Sequence, residues 1–333
     1  MSKVRDNYFD NAKFILILLV VFGHSITSLK SDTHIISTIY TFIFIFHMPA
    51  FILISGYFSK GFNKPGYYKK LIKKTMIPYL VFQVIYSGFY YLTGYEDQFS
   101  LDLLSPHWTL WFLISLLSWQ LLLPLFSKLG VYGFPIAVLI GILAGYLNEI
   151  GSYLSFSRTF AFFPIFYLGY LLKKEHFKIL RKPRIKYPSL IVLIVIFSIS
   201  YFFFPDDIQA WLLNSSSYQS LGVSSWFGGF IRLSLYVLTL VTTFSFLALI
   251  PSQHWSFTTL GEKTLYIYLL HGFFIKIVTL LPLYEKIQNI YAYSVLFIGS
   301  ILLCYILASR PVRTFMRPLV EVRMPKLLKN VLH

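Results

Sequence analysis

Residues 39–58 read IYTFIFIFHMPAFILISGYF, a run of 20 residues without Asp, Glu, Lys or Arg. An α-helix of about 20 apolar residues spans the hydrocarbon core of a bilayer. The composition agrees, because 56% of the chain is hydrophobic and 13% charged, against about 45–50% and about 25% in soluble domains. We therefore expect an all-α integral membrane protein, without a cleaved signal peptide, whose residues 1–333 form a single domain.

Further apolar runs, each bounded by Pro, Gly or charged residues, extend this pattern along the chain. They predict a bundle of about ten transmembrane helices between residues 12 and 308, followed by a basic tail at 309–333. The predicted spans lie near 12–30, 35–58, 71–92, 108–127, 131–148, 159–172, 188–204, 227–250, 263–281 and 291–308. The fifth to seventh have the least certain ends, because they are short or rich in glycine.

The basic residues indicate the orientation of these spans. With a cytoplasmic N-terminus, the inner segments hold 24 of the 29 Lys and Arg, as short cytoplasmic loops do. The other five are Lys30, Arg158 and Lys286 in outer loops, and Arg232 and Lys276 within spans. This predicts a multi-pass protein of the cell membrane with both termini cytoplasmic. The net charge of +16 is then explained by orientation and anionic lipid, and no nucleic-acid partner is expected.

Three histidines fall inside apolar segments: His24, His47 and His271. A titratable ring at bilayer depth is rarely kept without a function, so these are the catalytic candidates. The alternative for His24 is a bond to a neighbouring helix, and for His47 a bond to a carbonyl freed by Pro49. No metal site is predicted, because the histidines lack carboxylate or thiolate partners at ligand spacing.

The stretch YFDNAKFILILLVVFGHS, residues 8–25, combines one of these histidines with a lysine. On a helix, Lys13 and His24 are about 16 Å apart along the axis and about 20° apart around it. They would share one face, with Lys13 at the cytoplasmic mouth and His24 near the bilayer centre. Such a face could line a channel for a long anionic donor. Alternatively, Lys13 only extends to the lipid headgroups.

Several segments in this order resemble a known family. They are FHMPAFILISGYF (46–58), KKLIKKTMIPY (69–79), HWTLWFL (107–113), RTFAFFPIFYLGYLL (158–172) and GEKTLYIYLLHG (261–272). Together with residues 8–25 they look like the membrane-bound acyltransferase-3 family, most closely its fucose 4-O-acetylase-like branch.

The resemblance implies transfer of an acyl group, usually acetyl, from acyl-CoA to a glycan or lipid-linked sugar hydroxyl. Acyl-CoA is then a co-substrate, and no permanently bound cofactor is expected. The family's basic residue and histidine fall on Lys13 and His24, although the basic residue is usually Arg, which grips phosphate in a bidentate manner. Its second basic cluster falls on Lys70, Lys73 and Lys74. Many relatives carry an extracytoplasmic SGNH domain; none is expected here, so this chain acts directly or through a separate extracytoplasmic transferase.

The chemistry of acyl transfer assigns roles to these side chains. A neutral imidazole can remove the proton of the acceptor hydroxyl, and we assign this to His24. His47 and His271 would position the acceptor or stabilise the oxyanion. Further acceptor or oxyanion candidates are Ser55, Tyr266, Tyr268, Arg158 and Arg232. Arg232, within a span, needs a partner or must extend to the interface.

The outer loops are acidic and aromatic, with Glu96, Asp97 and Asp102 before Trp108, and Asp206 and Asp207 before Trp211. These side chains suit a sugar acceptor, although tryptophans near membrane boundaries are also typical of an interfacial belt. Two other functions fit the same pattern: an exporter of glycans or lipid-linked sugars, and a non-catalytic accessory protein.

Overall fold

A computed structural model describes residues 5–148, 151, 153–223, 225–281, 287 and 290–321. In these residues the chain forms helices and no strand, which confirms the all-α prediction. The α-helices are α1 (Asn7–Ser25), α2 (His34–Phe58), α3 (Tyr67–Leu71), α4 (Ile77–Leu92), α5 (Trp111–Ser127), α6 (Gly133–Ala144), α7 (Phe156–Leu171), α8 (Lys174–Leu180), α9 (Pro183–Phe203), α10 (Ile208–Leu213), α11 (Phe227–Leu249), α12 (Thr264–Thr279), α13 (Ile290–Leu307) and α14 (Arg310–Val320).

Several of these helices are long and apolar enough to cross a membrane, which makes the chain a multi-pass membrane protein. Within the described residues they are Asn7–Ser25, His34–Phe58, Trp108–Ser127, Pro183–Phe203 and Phe227–Leu249, with a sixth if Tyr291–Leu307 and Arg310–Val320 are counted together. Each of the ten predicted spans contains a helix, but the count of ten and the cytoplasmic termini stay predictions. Lys286 and residues 322–333 of the predicted basic tail lie outside the described residues.

Contacts divide the chain into two compact units. The first comprises Met1–Ser55, Leu172–Leu213 and Ile231–Ser309. The second comprises Gly56–Leu171, Asn214–Phe230 and Arg310–His333.

In the first unit, α1 packs on α12, α13 and the 3₁₀ helix Thr258–Glu262. This approach requires glycine at position 261, where a Cβ atom would lie 1.9 Å from the carbonyl oxygen of Asp10. The buried Asn11 amide donates to the carbonyls of Pro251 and Gln253 and accepts from the Thr258 hydroxyl. The polar start of α1 is therefore fixed by its own side chains to the segment before α12.

Helix α1 begins and ends earlier than the predicted span. Asp6 caps it, since its carboxylate accepts from the backbone N–H of Tyr8 at 3.1 Å. It ends at Ser25, where the hydroxyls of Ser25 and Thr27 bond carbonyls of the last turn. His24 therefore lies in the last turn of α1, whereas the predicted span 12–30 would place it in the interior of a helix; that placement was wrong. His47 and His271 do lie in the interior of α2 and α12.

In the second unit, α7 packs on α5 and α6. The indole N–H of Trp119 donates to the carbonyl of Thr159 at 2.7 Å, and the Tyr167 hydroxyl donates to the carbonyl of Phe126 at 2.8 Å. A π-helix, Ile72–Met76, joins α3 to α4. The three segments form one continuous helical run.

Candidate functional site

The structure brings the three predicted histidines together in the first unit. The rings of His24 and His271 stack with centroids 5.5 Å apart and planes inclined by 23°. Phe44 lies between His24 and the third histidine, His47. The centroid of the Phe44 ring is 6.2 Å from that of His24 and 4.6 Å from that of His47. We call His24, His47 and His271 the histidine cluster.

Hydrogen bonds define the tautomers of the two buried rings. His271 Nδ1 lies 2.7 Å from the carbonyl oxygen of Tyr268, and His47 Nδ1 lies 2.8 Å from that of Ile43. A carbonyl only accepts, so Nδ1 carries the proton in both rings and Nε2 of the neutral imidazole is the basic nitrogen. The carbonyl freed by Pro49 belongs to Ile45, whereas His47 Nδ1 bonds that of Ile43, so this alternative explanation of His47 was wrong.

The members of the cluster differ in access. His47 and His271 are 2% and 0% exposed, whereas His24 is partly exposed. Because α1 ends one residue after His24, its ring lies at a helix terminus and not in a fully packed turn. His24 is therefore the most accessible member of the cluster.

The other predicted residues of the first unit lie at different distances from the cluster. Tyr268 has its ring centroid 6.3 Å from that of His271, and Tyr266 is buried on the same helix. Ser55 lies eight residues after His47 on α2, which is about 12 Å along the axis. Its hydroxyl donates to the carbonyl of Phe51 at 2.9 Å.

A buried carboxylate that the sequence analysis missed lies beside Lys13. Asp10 is 3% exposed, and its Oδ1 atom lies 2.7 Å from Lys13 Nζ and 3.0 Å from Arg5 Nη2. Hydrogen bonding to Asp10 and the negative charges of Asp10 and Glu262 raise the pKa of the Arg5 guanidinium. The spacing of Asp10 and Lys13, three residues apart on a helix, is the signal that could have revealed this pair.

The predicted second basic cluster lies on the run from α3 to α4. Lys70, Lys73 and Lys74 are all exposed, and Lys73 and Lys74 belong to the π-helix. Across the described part of the chain, these three ammonium groups form no hydrogen bond or ion pair. Their charge is therefore available to an anion. Single-turn π-helices within α-helical runs are frequent at functional sites.

The two predicted arginines lie against tryptophans. The Arg158 guanidinium is 5.1 Å from the ring centroid of Trp111, in the second unit. Arg232, in the first unit, is 3% exposed; it donates to the carbonyl of Trp211 at 3.2 Å and lies 5.9 Å from its ring. The expected partner of Arg232 is thus found, and Trp211 is buried beneath it rather than exposed to lipid or sugar.

No group of three or more His, Cys, Asp and Glu side chains suited to a metal ion occurs among the residues that the structure describes.

The long apolar helices and the clustered titratable rings define a multi-pass membrane protein with a polar centre. The sequence profile described as "Acyltransferase domain" matches residues 6–309. The chain therefore belongs to the membrane-bound acyltransferase-3 family, as the sequence analysis predicted.

Two curated relatives match shorter parts of the chain. Nodulation protein NolL of Sinorhizobium fredii (strain NBRC 101917 / NGR234) is 29% identical over 122 residues, which are 32% of this chain and 33% of that protein. Nodulation protein NolL of Mesorhizobium japonicum (strain LMG 29417 / CECT 9101 / MAFF 303099) is 47% identical over 60 residues, or 17% and 16% of the two chains. The matched segment thus spans a third or less of either relative. No solved structure gives a significant match.

Proposed function

We propose that this protein is a membrane O-acyltransferase that moves an acyl group, usually acetyl, from acyl-CoA to a hydroxyl of a cell-surface glycan or lipid-linked sugar. Membership of the acyltransferase-3 family supports the reaction class. The observation that carries the proposal is the stacked pair of His24 and His271, joined by His47 through Phe44. Such a cluster can accept and hold protons within an otherwise apolar bundle.

In this mechanism His24 is the general base. It accepts the proton of the acceptor hydroxyl as the hydroxyl oxygen bonds to the thioester carbonyl, and the C–S bond then breaks to release CoA as the thiol. His47 and His271 carry their protons on Nδ1, so each offers a basic Nε2 to a hydroxyl hydrogen. This supports their role in positioning the acceptor more than in donating to an oxyanion.

The donor's phosphates are proposed to bind basic residues at the inner membrane face. Lys13 is supported by its position about 16 Å along α1 from His24. Lys70, Lys73 and Lys74 are supported by their exposure and by the absence of a partner among the described residues. Lys13 lies in the first compact unit and Lys70, Lys73 and Lys74 lie in the second, so each group is proposed on its own evidence. The ten-span topology with cytoplasmic termini is part of this proposal.

The role of His24 is tested by two substitutions in purified protein with labelled acetyl-CoA and glycan acceptor. Loss of a positioned base lowers a rate by about 10²–10⁴-fold, so His24→Ala should lower acylation of the hydroxyl that His24 activates by this factor but keep acetyl-CoA binding. His24→Gln should not restore activity, because an amide does not accept the proton. The control is Ser25→Ala, which removes the neighbouring hydroxyl that bonds the carbonyl of Phe22.

Two outcomes would contradict the proposal. Recovery by His24→Gln of more than about a tenth of the wild-type rate would assign the base elsewhere, since it exceeds the residual rate expected without one. Wild-type protein that binds glycan but never consumes acetyl-CoA would favour the exporter.

A further inference from the structure

Ser87 forms a side-chain hydrogen bond that differs from the backbone bonds of three other serines inside helices. Ser118, Ser198 and Ser200 each donate to the carbonyl four residues earlier, at 2.8–3.0 Å. Ser87, on α4, instead has its Oγ atom 2.8 Å from Nε2 of His107. A fully buried hydroxyl directed at an imidazole nitrogen is the geometry of a nucleophile and its base.

Side chains of α4 hold the loop that carries His107: the Tyr79 hydroxyl donates to the carbonyl of Leu103 at 2.8 Å, and Gln83 forms three further bonds. Gln83, which is fully buried, donates from Nε2 to the carbonyls of Asp102 and Ser105 at 2.6 and 2.8 Å. Its Oε1 atom accepts from the backbone N–H of His107 at 3.0 Å. The next residue, Trp108, has a φ of 33°, a strained value for a residue with a side chain. Such strain is often retained at functional sites.

A carboxylate lies on the other side of the His107 ring. Glu96 Oε1 is 3.9 Å from Nδ1, and the ring of Tyr90 packs edge-on at a centroid distance of 4.9 Å. When Ser87 donates to Nε2, Nδ1 carries the ring proton and faces Glu96, which stabilises the imidazolium that forms on proton transfer. Burial lowers the pKa of His107, against the opposing effect of Glu96 and Asp102, which favours the neutral ring, the form that can act as a base.

We propose that Ser87 and His107 form a second acyl-transfer centre, at which Ser87 carries the acyl group as an ester. The proposal rests on the proposed function, because its donor is the same acyl thioester. His107 Nε2 accepts the Ser87 proton as Oγ bonds to the acyl carbonyl; the C–S bond breaks, and CoA leaves as the thiol with that proton. A hydroxyl other than the one that His24 activates then attacks the ester, and its proton returns through His107 to Ser87 Oγ.

The same helical run provides a place for the donor's charged end. Lys73 and Lys74 precede Ser87 by 14 and 13 residues on the continuous run through α4, which is about 20 Å along the axis. All of these residues lie in the second unit. A donor with its phosphates at the lysines would therefore extend along α4 with its acyl end near Ser87.

Burial of Ser87 fits a transferase better than a hydrolase. Its side chain is fully buried, so bulk water has little access to an ester at Oγ. The His107 side chain is 14% exposed, so a hydroxyl acceptor can approach from that side. Restricted access of water slows hydrolysis of the ester relative to transfer to an acceptor bound on that side.

The test uses the full-length protein in lipid nanodiscs with ¹³C₂-acetyl-CoA and no acceptor, followed by an acid quench and peptide mass spectrometry. The peptide with Ser87 should gain one acetyl group as an acid-stable ester, whereas an acyl-imidazole would hydrolyse. Ser87→Ala should lose the label, and His107→Gln should slow labelling at least tenfold. Ser118→Ala is the matched control. Ser87→Cys retains the size of the side chain and should give a thioester labile to neutral hydroxylamine.

The outcomes separate this centre from the proposed function. Wild-type acylation of glycan with no label at Ser87, and an unchanged rate in Ser87→Ala, would overturn the second centre alone. Wild-type protein that does not consume acetyl-CoA would overturn the proposed function, and a fluorophosphonate probe would then test the pair. Labelling of Ser87 that requires His107 would support the pair as nucleophile and base; no labelling would overturn it.

Discussion

The carboxylate of Asp10 determines how much charge Lys13 can offer to a ligand. It is nearly inaccessible to water and bonded to both Arg5 and Lys13. Its two cationic partners offset its charge, so the three groups together carry one net positive charge. Asp10 therefore also fixes the Lys13 ammonium at the helix surface, which reduces the entropy lost when an anion binds.

We expect Lys13→Ala to raise the apparent dissociation constant of the donor. A hydrogen bond to a charged group contributes about 1.5–3 kcal/mol, or roughly one to two decades in affinity. Because the Lys13 ammonium is already bonded to Asp10, we expect the dissociation constant to rise by the lower end of this range, about tenfold. Binding of acetyl-CoA measured by calorimetry provides the test. Lys13→Arg should keep most of the affinity.

Lys30→Ala is the control, because Lys30 lies on a predicted outer loop, away from the proposed donor site. Its ammonium is 5.2 Å from the ring centroid of Tyr40. Equal donor affinity in the wild type and in Lys13→Ala would show that Lys13 only orients α1.

Single residues differed in how far the sequence could predict them. His47 and His271 were identified because a titratable ring stands out in an apolar segment. Ser87 and His107 did not stand out, because a serine on a membrane helix usually bonds its own backbone. Their pairing depends on the 14-residue connection 93–106. This connection folds back onto α4, where Gln83 forms hydrogen bonds with its end. Such a loop conformation has no periodic signature.

Close helix contacts in the second unit depend on a glycine near the end of α2. A Cβ atom at Gly56 would lie 1.9 Å from the carbonyl oxygen of Phe166 on α7, whereas one at Gly88 on α4 would meet nothing within 4 Å. The two positions are a matched pair, because both glycines lie in α-helices of the same unit.

We therefore expect opposite effects from two alanine substitutions. Gly56→Ala forces backbone atoms apart and should cost more than the about 1–3 kcal/mol typical of overpacking. Gly88→Ala should be neutral or stabilise by up to about 1 kcal/mol, because alanine favours a helix. Thermal unfolding of the detergent-solubilised proteins measures both. An unfolding midpoint for Gly56→Ala equal to that of Gly88→Ala would refute the close contact.

Helix ends were predicted less well than helix positions. The apolar pattern located α1 but placed it several residues too late, because its start is polar: Asp10 bonds Arg5 and Lys13, and Asn11 bonds the segment before α12. The bonds of the buried Asn11 reach residues more than 230 positions away. Hydropathy along the chain contains no information about such partners. The helix start itself could have been recognised, because aspartate, as at position 6, is a preferred N-cap residue.

The arrangement of all the helices in the membrane is open to a direct test. With Cys304 replaced by Ala, single cysteines at Ser100 and Gln219 should react with an impermeant maleimide on intact cells. Cysteines at Asn63 and Lys178 should react only after the membrane is opened. All four positions are exposed, so burial would not mask them. Labelling of Lys178→Cys in intact cells would contradict the ten-span topology.

Composition predicted the class of the molecule, because its fraction of charged residues is half that of soluble domains. The division into two compact units was not predicted. Each unit combines segments far apart in the chain, and a single sequence shows which segments are apolar but not which of them associate. The prediction that residues 1–333 form a single acyltransferase domain concerns a functional unit rather than a compact one, and it stays a prediction.

The π-helix at Ile72–Met76 has a consequence for comparing this chain with other family members. A π-turn is equivalent to one residue inserted into an α-helix, and each α-helical residue turns the chain by about 100°. A homologue with a single deletion between Leu71 and Ile77 would continue as a regular α-helix, and its counterpart of Lys70 would rotate to another side of α4. A gapless alignment across this segment would equate lysines that point in different directions, so insertions and deletions there bear on the proposed donor site as directly as substitutions do.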